Sequence, residues 1–365
     1  MIYIGFIVDS RIPSWRNCIQ HKNPWALLGG WGSSTPVAAM RYRWIADHVN
    51  ASAKGIHYEL YRPWRRYQAV IFLKSMGLES IALQARLKEK GVKTIFDANV
   101  DYFTSATGTF FYDGMAPSQD QQVNAVHMAR ECDAVIGDSR YIAEKAGKLN
   151  TCVASITDNV LDRLISDGSE WHPARGKMCQ LIWCGQAVKL FELLAIKEVL
   201  LEWKNRIFLR IITNSLESLQ KWYPLYRDEF HDLLKQVPHE IVPFQSIASL
   251  MSAYDAGGVF IAPRFLDNSY NLGHTEWKIT LPMARGRVVL CSPQASYNDV
   301  SEYAAEIGIR VCHDSDGWRA AFAEILDSSF DWQKEQGAAC AVVREHYATS
   351  IVANNHLQFI QSVLR

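Results

Sequence analysis

The chain has 365 residues, which is enough for two α/β domains of ordinary size, each with its own core. Lys and Arg together number 38, as do Asp and Glu, and because duplex-binding proteins normally carry a basic surplus, this zero net charge argues against a nucleic-acid partner. No apolar run approaches the ~20 residues of a membrane-spanning helix, and the amino terminus lacks the basic region and cleavage site of a signal peptide, which favours a cytoplasmic protein.

The chain opens with a continuous apolar run at residues 2–8, typical of a central parallel strand that is buried on both faces. A glycine-rich segment follows, in which Gly29 and Gly30 would let the backbone pass close to a ligand. The Thr-Pro pair at residues 35–36 then indicates a helix start. A flexible surface loop is the alternative interpretation of the glycines.

Two further strands are predicted at residues 57–63 and 67–75. The connection between them is basic and aromatic, with Arg62, Trp64, Arg65, Arg66 and Tyr67 in close succession. Such a cluster could rest on an anionic membrane surface or contact a lipid-linked acceptor. A solvated turn is the preferred interpretation of the same residues.

A strand predicted at residues 93–103 has a polar carboxyl end that contains Asp97 and Asp101. The spacing resembles the opening of a calcium-binding loop, but the required glycine and final glutamate are missing, so we reject that site. In an open parallel sheet the carboxyl end of a strand borders the ligand crevice, so Asn99 could face a substrate, as could both carboxylates. The alternative is that they cap a loop. With His127 on the next helix, they are the candidate catalytic bases.

A domain boundary is predicted at residues 166–177, which are rich in Gly, Ser, Pro and charged residues and separate two series of alternating strands and helices. The first domain would span residues 1–170 and the second residues 177–345. Residues 346–365 carry apolar side chains at helical spacing and predict a final helix.

The second domain opens with a strand, a turn at Gly185 and a helix that carries Lys189. The strand predicted at residues 207–215 ends near Asn214, which could reach a nucleotide. A strand, a helix and another strand then bring the chain to Arg264, on the approach to the most informative segment.

That segment, residues 268–292, predicts a loop that turns at Gly273, a helix that opens near Thr275, and a buried strand. A helix N-terminus offers unpaired N–H groups and a positive dipole end to an anion. Lys278 lies one turn into this helix and would add a full positive charge to the same anion. The segment therefore predicts a phosphate site, in which His274 could hydrogen-bond the phosphate or an attached sugar.

The same segment resembles a known family. Lys278, Met283, Ala284 and Gly286, followed by RVVLCS, resemble the K-x-x-E-x-M-A-x-G-x-P-V-V-x-S segment of GT-B glycosyltransferases, mostly the retaining ones that use nucleotide sugars. The order Tyr254, Asp255, Gly257 and Pro263 and the run at residues 129–162 resemble other parts of that family. The resemblance implies an α/β protein of the GT-B fold, with two Rossmann-like domains facing across a cleft and a C-terminal helix that crosses back to the first domain.

The pattern and the resemblance together assign candidate binding residues. For the donor phosphate and sugar these are Gly29, Gly30, Gly185, Lys189, Gly273, His274, Thr275 and Lys278; for the nucleotide they are Asn214, Phe244, Arg264 and Glu276. The sequence departs from the family at the acidic pair that normally holds the ribose and donor sugar, because these positions fall on Leu281 and Gly273. Glu276 is the nearest carboxylate, but it points to a different side of the helix.

The eight cysteines form neither a C-x-x-C pair nor a Cys/His cluster at metal spacing, so we expect reduced thiols and no bound metal. The resemblance implies a glycosyltransferase that moves a sugar from a nucleotide-sugar donor, with UDP or GDP the favoured nucleotides, to a glycan or lipid-linked acceptor. The nucleotide sugar is then a co-substrate, and no cofactor is expected. Transfer with retention of the sugar's configuration is favoured over inversion. Peripheral membrane association is left open. The alternatives are a catalytically inactive GT-B scaffold that binds a nucleotide or protein partner, and a GT-B epimerase or phosphorylase.

Overall fold

The structure is a computed structural model that describes residues 1–12, 18–19, 22, 38–105, 107–167, 178–267 and 269–365. Two parallel six-stranded sheets organise these residues, one in each half of the chain. The predicted loop with Gly29 and Gly30 lies outside the described residues, as does most of the predicted domain boundary.

The first sheet has the strand order β2-β1-β3-β4-β5-β6. Its strands are β1 (Ile2–Val8), β2 (Ile56–Leu60), β3 (Ala69–Leu73), β4 (Lys93–Ala98), β5 (Ala134–Gly137) and β6 (Val153–Ser155). Its helices are α1 (Ile45–Ser52), which continues a π-helical segment Ala39–Trp44, α2 (Leu78–Glu89), α3 (Gln119–Glu131) and α4 (Arg140–Gly147), and a 3-10 turn Asp162–Leu164 follows. The central strands β1 and β3 are apolar and buried because helices cover both faces of a parallel sheet.

The second sheet has the order β12-β11-β10-β7-β8-β9. Its strands are β7 (Cys179–Cys184), β8 (Ile207–Thr213), β9 (His239–Pro243), β10 (Val259–Ala262), β11 (Val289–Cys291) and β12 (Ile309–Val311). The helices are α5 (Lys197–Trp203), α6 (Pro224–Gln236), α7 (Ile247–Asp255), α8 (Ser269–Leu272), α9 (Trp277–Met283), α10 (Ala295–Ala304), α11 (Ser315–Ile325) and α12 (Trp332–Val342), with 3-10 segments Ala187–Ile196 and Leu216–Lys221 and a π-helical segment Val343–Tyr347.

The helix predicted after Gly185 is in fact a 3-10 segment, Ala187–Ile196, that runs into α5. The physical reason is the spacing of its core residues. Ala187, Leu190, Leu193 and Ile196 recur every three residues, and all are buried. A helix with three residues per turn places such a set on one face, whereas an α-helix would spread it.

The connection between β2 and β3 has no helix and crosses β1 directly. It passes over Gly5, where an added Cβ would lie 3.0 Å from the Tyr67 ring, so a side chain at this position would displace the crossing. Tyr3 and Gln68 exchange two hydrogen bonds, of 2.7 and 3.0 Å, at the amino end of β1. Trp64, Arg65 and Arg66 of this connection lie beside Met1 and Tyr3, at the opposite end of the sheet from the carboxyl strand ends that border a ligand crevice.

The final helix, α13 (Thr349–Val363), packs on the first sheet, as predicted. Val352, Ala353 and Ile360 join the same core as β1 and α1. Two backbone hydrogen bonds hold the segment before α13 against Val160. The Val160 N–H donates to the Tyr347 oxygen at 2.8 Å, and the Thr349 N–H donates to the Val160 oxygen at 2.9 Å. The chain therefore crosses between the two halves twice, side by side.

Candidate active-site cleft

A cavity of about 550 Å³ lies between the two halves at the carboxyl ends of their strands. Six residues predicted from the sequence line it: Gly185, Lys189, Arg264, His274, Thr275 and Lys278. The first half contributes Lys74, Asn99 and Asp158. Asn99 belongs to the polar strand end that was expected to face a substrate, whereas Lys74 and Asp158 were not selected from the sequence. Strand topology explains the convergence, because β7 and β10 are neighbouring parallel strands and Gly185 and Arg264 follow their carboxyl ends at the same edge of the sheet.

A buried carboxylate that the sequence analysis missed organises the basic side chains. Glu192, on the 3-10 segment after β7, accepts hydrogen bonds from both Arg264 and Lys278. Burial by itself would raise the pKa of Glu192, but the charges of Arg264 and Lys278 outweigh it and hold the pKa below the ordinary value. A lone acid within the apolar run LFELLAI was the available signal, because an unpaired carboxylate is almost never buried.

The two lysines of the cleft have lowered pKa values. Burial and the charge of Arg264 lower the pKa of Lys189 to about 7. Burial also lowers the pKa of Lys278, whereas Glu192 raises it, and the balance is about 8. Lys278 Nζ also lies 4.4 Å from the centre of the Trp183 ring, a cation–π contact. Lys189, Arg264 and Lys278 thus outnumber Glu192, the buried carboxylate beside them, and an anion would stabilise their charged forms.

His274 is held neutral at the centre of this cluster. Burial and the charges of Lys189 and Arg264 put its pKa well below the ordinary value. Its Nε2 lies 3.2 Å from Lys189 Nζ, and its backbone oxygen accepts hydrogen bonds from Gln294 and, at 2.8 Å, from Ser296. The backbone contacts fix the loop, so the ring presents one nitrogen to Lys189 in a set geometry.

Gly273 marks a close approach of the two halves. A Cβ added there would lie 2.7 Å from the backbone nitrogen of Asp101, which belongs to the first half. No side chain fits in that space without moving one half relative to the other. The helix that follows, α9, begins at Trp277, two residues after the predicted start.

The three candidate bases do not line the cleft cavity. Asp97 is fully buried and paired with Arg41 at 2.9 Å, and burial raises its pKa despite that partner. Asp101 accepts hydrogen bonds from the N–H groups of Phe103 and Thr104 at 2.9 and 3.0 Å, which is the loop-capping arrangement. His127 is exposed on α3.

The remaining nucleotide candidates also lie outside the cavity lining. Asn214 accepts a hydrogen bond of 2.7 Å from the N–H of Ala187 and so holds the start of the 3-10 segment. Phe244 is 41% exposed at the end of β9. Glu276 is buried behind the cleft, where it accepts a hydrogen bond of 3.1 Å from the Asp158 N–H. Asn214 and Glu276 therefore support the cleft wall rather than face the cavity.

Within the described residues, no group of three His, Cys, Asp or Glu side chains is arranged to hold a metal ion. All eight cysteines are free thiols. No described helix has the length and apolar character needed to cross a membrane.

Comparison with known proteins identifies the fold. No protein-family model matches the chain, and no curated protein matches it in sequence. Sucrose-phosphate synthase from Thermosynechococcus elongatus superimposes with a TM-score of 0.64 at 11% identity, covering 100% of this chain and 99% of its own. HepE from Anabaena, in complex with UDP and glucose, has a TM-score of 0.64 at 7% identity over 99% of this chain and 100% of its own. The lipopolysaccharide outer core galactosyltransferase WaaB has a TM-score of 0.64 at 12% identity over 99% of each chain.

These likenesses extend over the whole chain and confirm the predicted α/β architecture. The protein has the GT-B fold, with two parallel six-stranded sheets and a final helix that returns to the first.

Proposed function

We propose that the protein is a glycosyltransferase that moves a sugar from a nucleoside-diphosphate donor to a hydroxyl acceptor. The observation that carries this proposal is the convergence of Lys189, Arg264 and Lys278 on one cleft, where Glu192 is the carboxylate that pairs with Arg264 and Lys278. With both lysines protonated, this group of four has a net charge of +2. A diphosphate supplies the missing negative charge and matches the guanidinium and ammonium donors.

The same side chains would stabilise the reaction. Negative charge develops on the diphosphate as it leaves the sugar, and fixed cations at that point lower the barrier. We propose that these cations do this without a metal and that the sugar keeps its configuration, with the leaving phosphate taking the acceptor proton. Asp97, Asp101 and His127 do not line the cavity, so none of these three candidates is placed to act as a base. An undiminished rate in EDTA would support the metal-free route.

A UDP sugar is the favoured donor, with a GDP sugar next, because the structural neighbour HepE is described in complex with UDP and glucose. We propose a glycan or lipid-linked hydroxyl as the acceptor, and a cytoplasmic enzyme that associates peripherally with a membrane. The support for membrane association is Trp64, which is 58% exposed and flanked by arginines. This surface is at the opposite end of the first sheet from the cleft, so it would orient the protein rather than bind the acceptor.

Calorimetric titration with UDP, GDP and ADP tests the donor site. We expect one nucleotide to bind the wild type and Lys278→Ala to weaken that binding about 10- to 100-fold, since a hydrogen bond to a charged group contributes about 1.5–3 kcal/mol. Lys235→Ala is the matched control, because Lys235 is an exposed lysine on α6, remote from the cleft. Equal losses in both variants, or no binding of any nucleotide, would contradict the proposed site.

Nucleotide binding should be accompanied by proton uptake above neutral pH. The pKa of Lys189 is about 7 in the free protein, so the amine is largely neutral at pH 8, and a diphosphate beside it favours the charged form. The affinity should accordingly fall as pH rises from 7 to 9. Titrations at pH 8 in buffers of different ionisation enthalpy measure the protons taken up, and Lys189→Met should reduce that number. Proton release, or uptake unchanged in Lys189→Met, would refute this assignment.

An inactive scaffold is the alternative to an enzyme, and turnover distinguishes the two. Release of nucleotide from the matching nucleotide sugar, faster than the spontaneous rate and abolished in Lys278→Ala, supports the enzyme. Tight nucleotide binding without any turnover across a panel of hydroxyl acceptors favours the scaffold.

A further inference from the structure

A second cavity, of about 210 Å³, lies beside the two chain crossings and is separate from the cleft. We call it the hinge cavity; its walls include Arg140, Glu276, Asp299, Tyr303, Tyr347 and Asn355. Residues 156–157 of the first crossing and residues 346–347 of the second also border it. It is therefore built by both halves and by both segments that join them.

The hinge cavity has an open rim and a buried floor. Tyr303 is 47% exposed and Asn355 is also exposed, so a small molecule can enter from solvent. Glu276 and Tyr347, by contrast, are each 1% exposed. A ligand that reaches the floor would be largely enclosed.

The polar groups of the floor lack matching partners. The Tyr347 hydroxyl is buried, yet it makes no hydrogen bond to any described residue. The Glu276 carboxylate accepts the Asp158 N–H, yet it belongs to none of the ion pairs formed by the described residues. Burying a hydroxyl or a carboxylate without a partner costs free energy, so the floor is incomplete as it stands.

Two carboxylates near this floor have no cationic partner. Among the described residues, Arg41 pairs with Asp97 and Asp158, and Arg140 pairs with Asp299 and Glu302, whereas Asp138 and Glu276 form no ion pair. The part of the chain that the structure describes also offers no hydrogen-bond partner to either carboxylate oxygen of Asp138. Burial, and for Glu276 also the charge of Asp158, puts the pKa of Asp138 and of Glu276 well above ordinary values. A cation bound beside them would stabilise their charged forms.

The aromatic side chains suit an organic cation. The Tyr303 ring stacks on His346 at 4.1 Å and meets the Tyr347 ring edge-on at 6.2 Å. Aromatic rings attract cations through their quadrupole, and a phenol oxygen can accept an N–H. His346 stacks on one face of the Tyr303 ring, and the Arg140 guanidinium lies 6.0 Å from the centre of that ring.

We propose that the hinge cavity binds a small organic ammonium ion, whose N–H groups donate to the Glu276 carboxylate and the Tyr347 phenol oxygen. The cavity volume of about 210 Å³ is large enough for a small organic amine. Arg140 does not oppose this charge, because it is neutralised by Asp299 and Glu302 at 2.7 and 2.6 Å.

Glu276 links the hinge cavity to the cleft, so a ligand in the hinge cavity would affect the cleft through this residue. Glu276 immediately precedes α9, which carries Lys278, and its carboxylate holds the backbone of Asp158, which lines the cleft. The ammonium ion and a cleft ligand would therefore bind at the same time, on opposite sides of one wall.

The probe is cyclohexylamine, with cyclohexanol as the neutral molecule of the same shape. By calorimetry and thermal shift we expect the amine to bind the wild type and cyclohexanol to bind at least tenfold more weakly. Tyr347→Phe, which deletes only the unpaired hydroxyl, should weaken amine binding about fivefold, the effect of one hydrogen bond of about 1 kcal/mol. Glu276→Gln should weaken it more.

Three results would overturn the proposal. The amine and the alcohol bind equally or not at all; or amine binding is unchanged in both Tyr347→Phe and Glu276→Gln; or saturating UDP displaces the amine competitively, which would place the amine in the cleft. Circular dichroism of the two variants establishes that they fold. If they do not fold, amine binding to Asp299→Asn, a variant at the rim, and the comparison of amine with alcohol on the wild type still test the proposal.

Discussion

Gly273→Ala is expected to lower the rate of sugar transfer about 100-fold, because a displacement of about 1 Å between reacting groups has effects of this size. The new methyl group would lie 2.7 Å from the backbone nitrogen of Asp101, and backbone cannot rotate away as a long side chain can. The two halves must therefore separate at this contact, which shifts His274 and Lys278 relative to the first half. The measurement is donor turnover, together with nucleotide affinity.

Gly147→Ala is the matched control for this substitution. Gly147 ends α4, and a Cβ added there meets nothing within 4 Å. The control should retain wild-type turnover. If Gly273→Ala is equally active, the close approach of Gly273 to Asp101 has no part in catalysis.

Glu192→Gln is expected to destabilise the protein by about 3–5 kcal/mol, the usual cost of leaving a buried charge without its partner. The amide keeps the shape of the carboxylate but not its charge, so Arg264 and Lys278 lose their shared counter-ion. Saturating nucleoside diphosphate should restore part of the loss, because it binds the folded state and supplies negative charge to the same cations. Urea unfolding with and without the nucleotide measures both effects.

The pH dependence gives this prediction a second readout. The folded-state pKa of Glu192 is lowered, so its stabilising contribution is present above the ordinary pKa of glutamate and is lost as pH falls through the folded value. The difference between wild type and Glu192→Gln should therefore narrow in acid. Glu202→Gln is the control; Glu202 is 49% exposed and pairs with Arg319 on the surface, where such pairs contribute at most about 1 kcal/mol. A loss in Glu192→Gln no larger than in this control would contradict the argument.

The candidate site was only partly predictable. Four residues selected from the sequence do converge on the cleft: Lys189, Arg264, His274 and Lys278. Each lies just after a strand or at a helix start, which is where ligands bind to parallel sheets. Asp97 was selected for the same reason, yet its carboxylate is held by Arg41, which lies 56 residues away in the chain. No local pattern marks such a pairing.

The order of strands and helices could be predicted from the sequence, because apolar periodicity is a local property that burial then satisfies. The return of the last helix to the first sheet was expected from the family resemblance. The three-residue spacing of the buried residues in the 3-10 segment also fits that type of helix. Which charged side chains form pairs, and which residues come into contact, depends on the tertiary structure. Glu192 with Lys278, Gly273 against Asp101, and Glu276 beside Tyr347 join residues that are more than 70 positions apart, and their free energies depend on distance and burial, which only the folded chain sets.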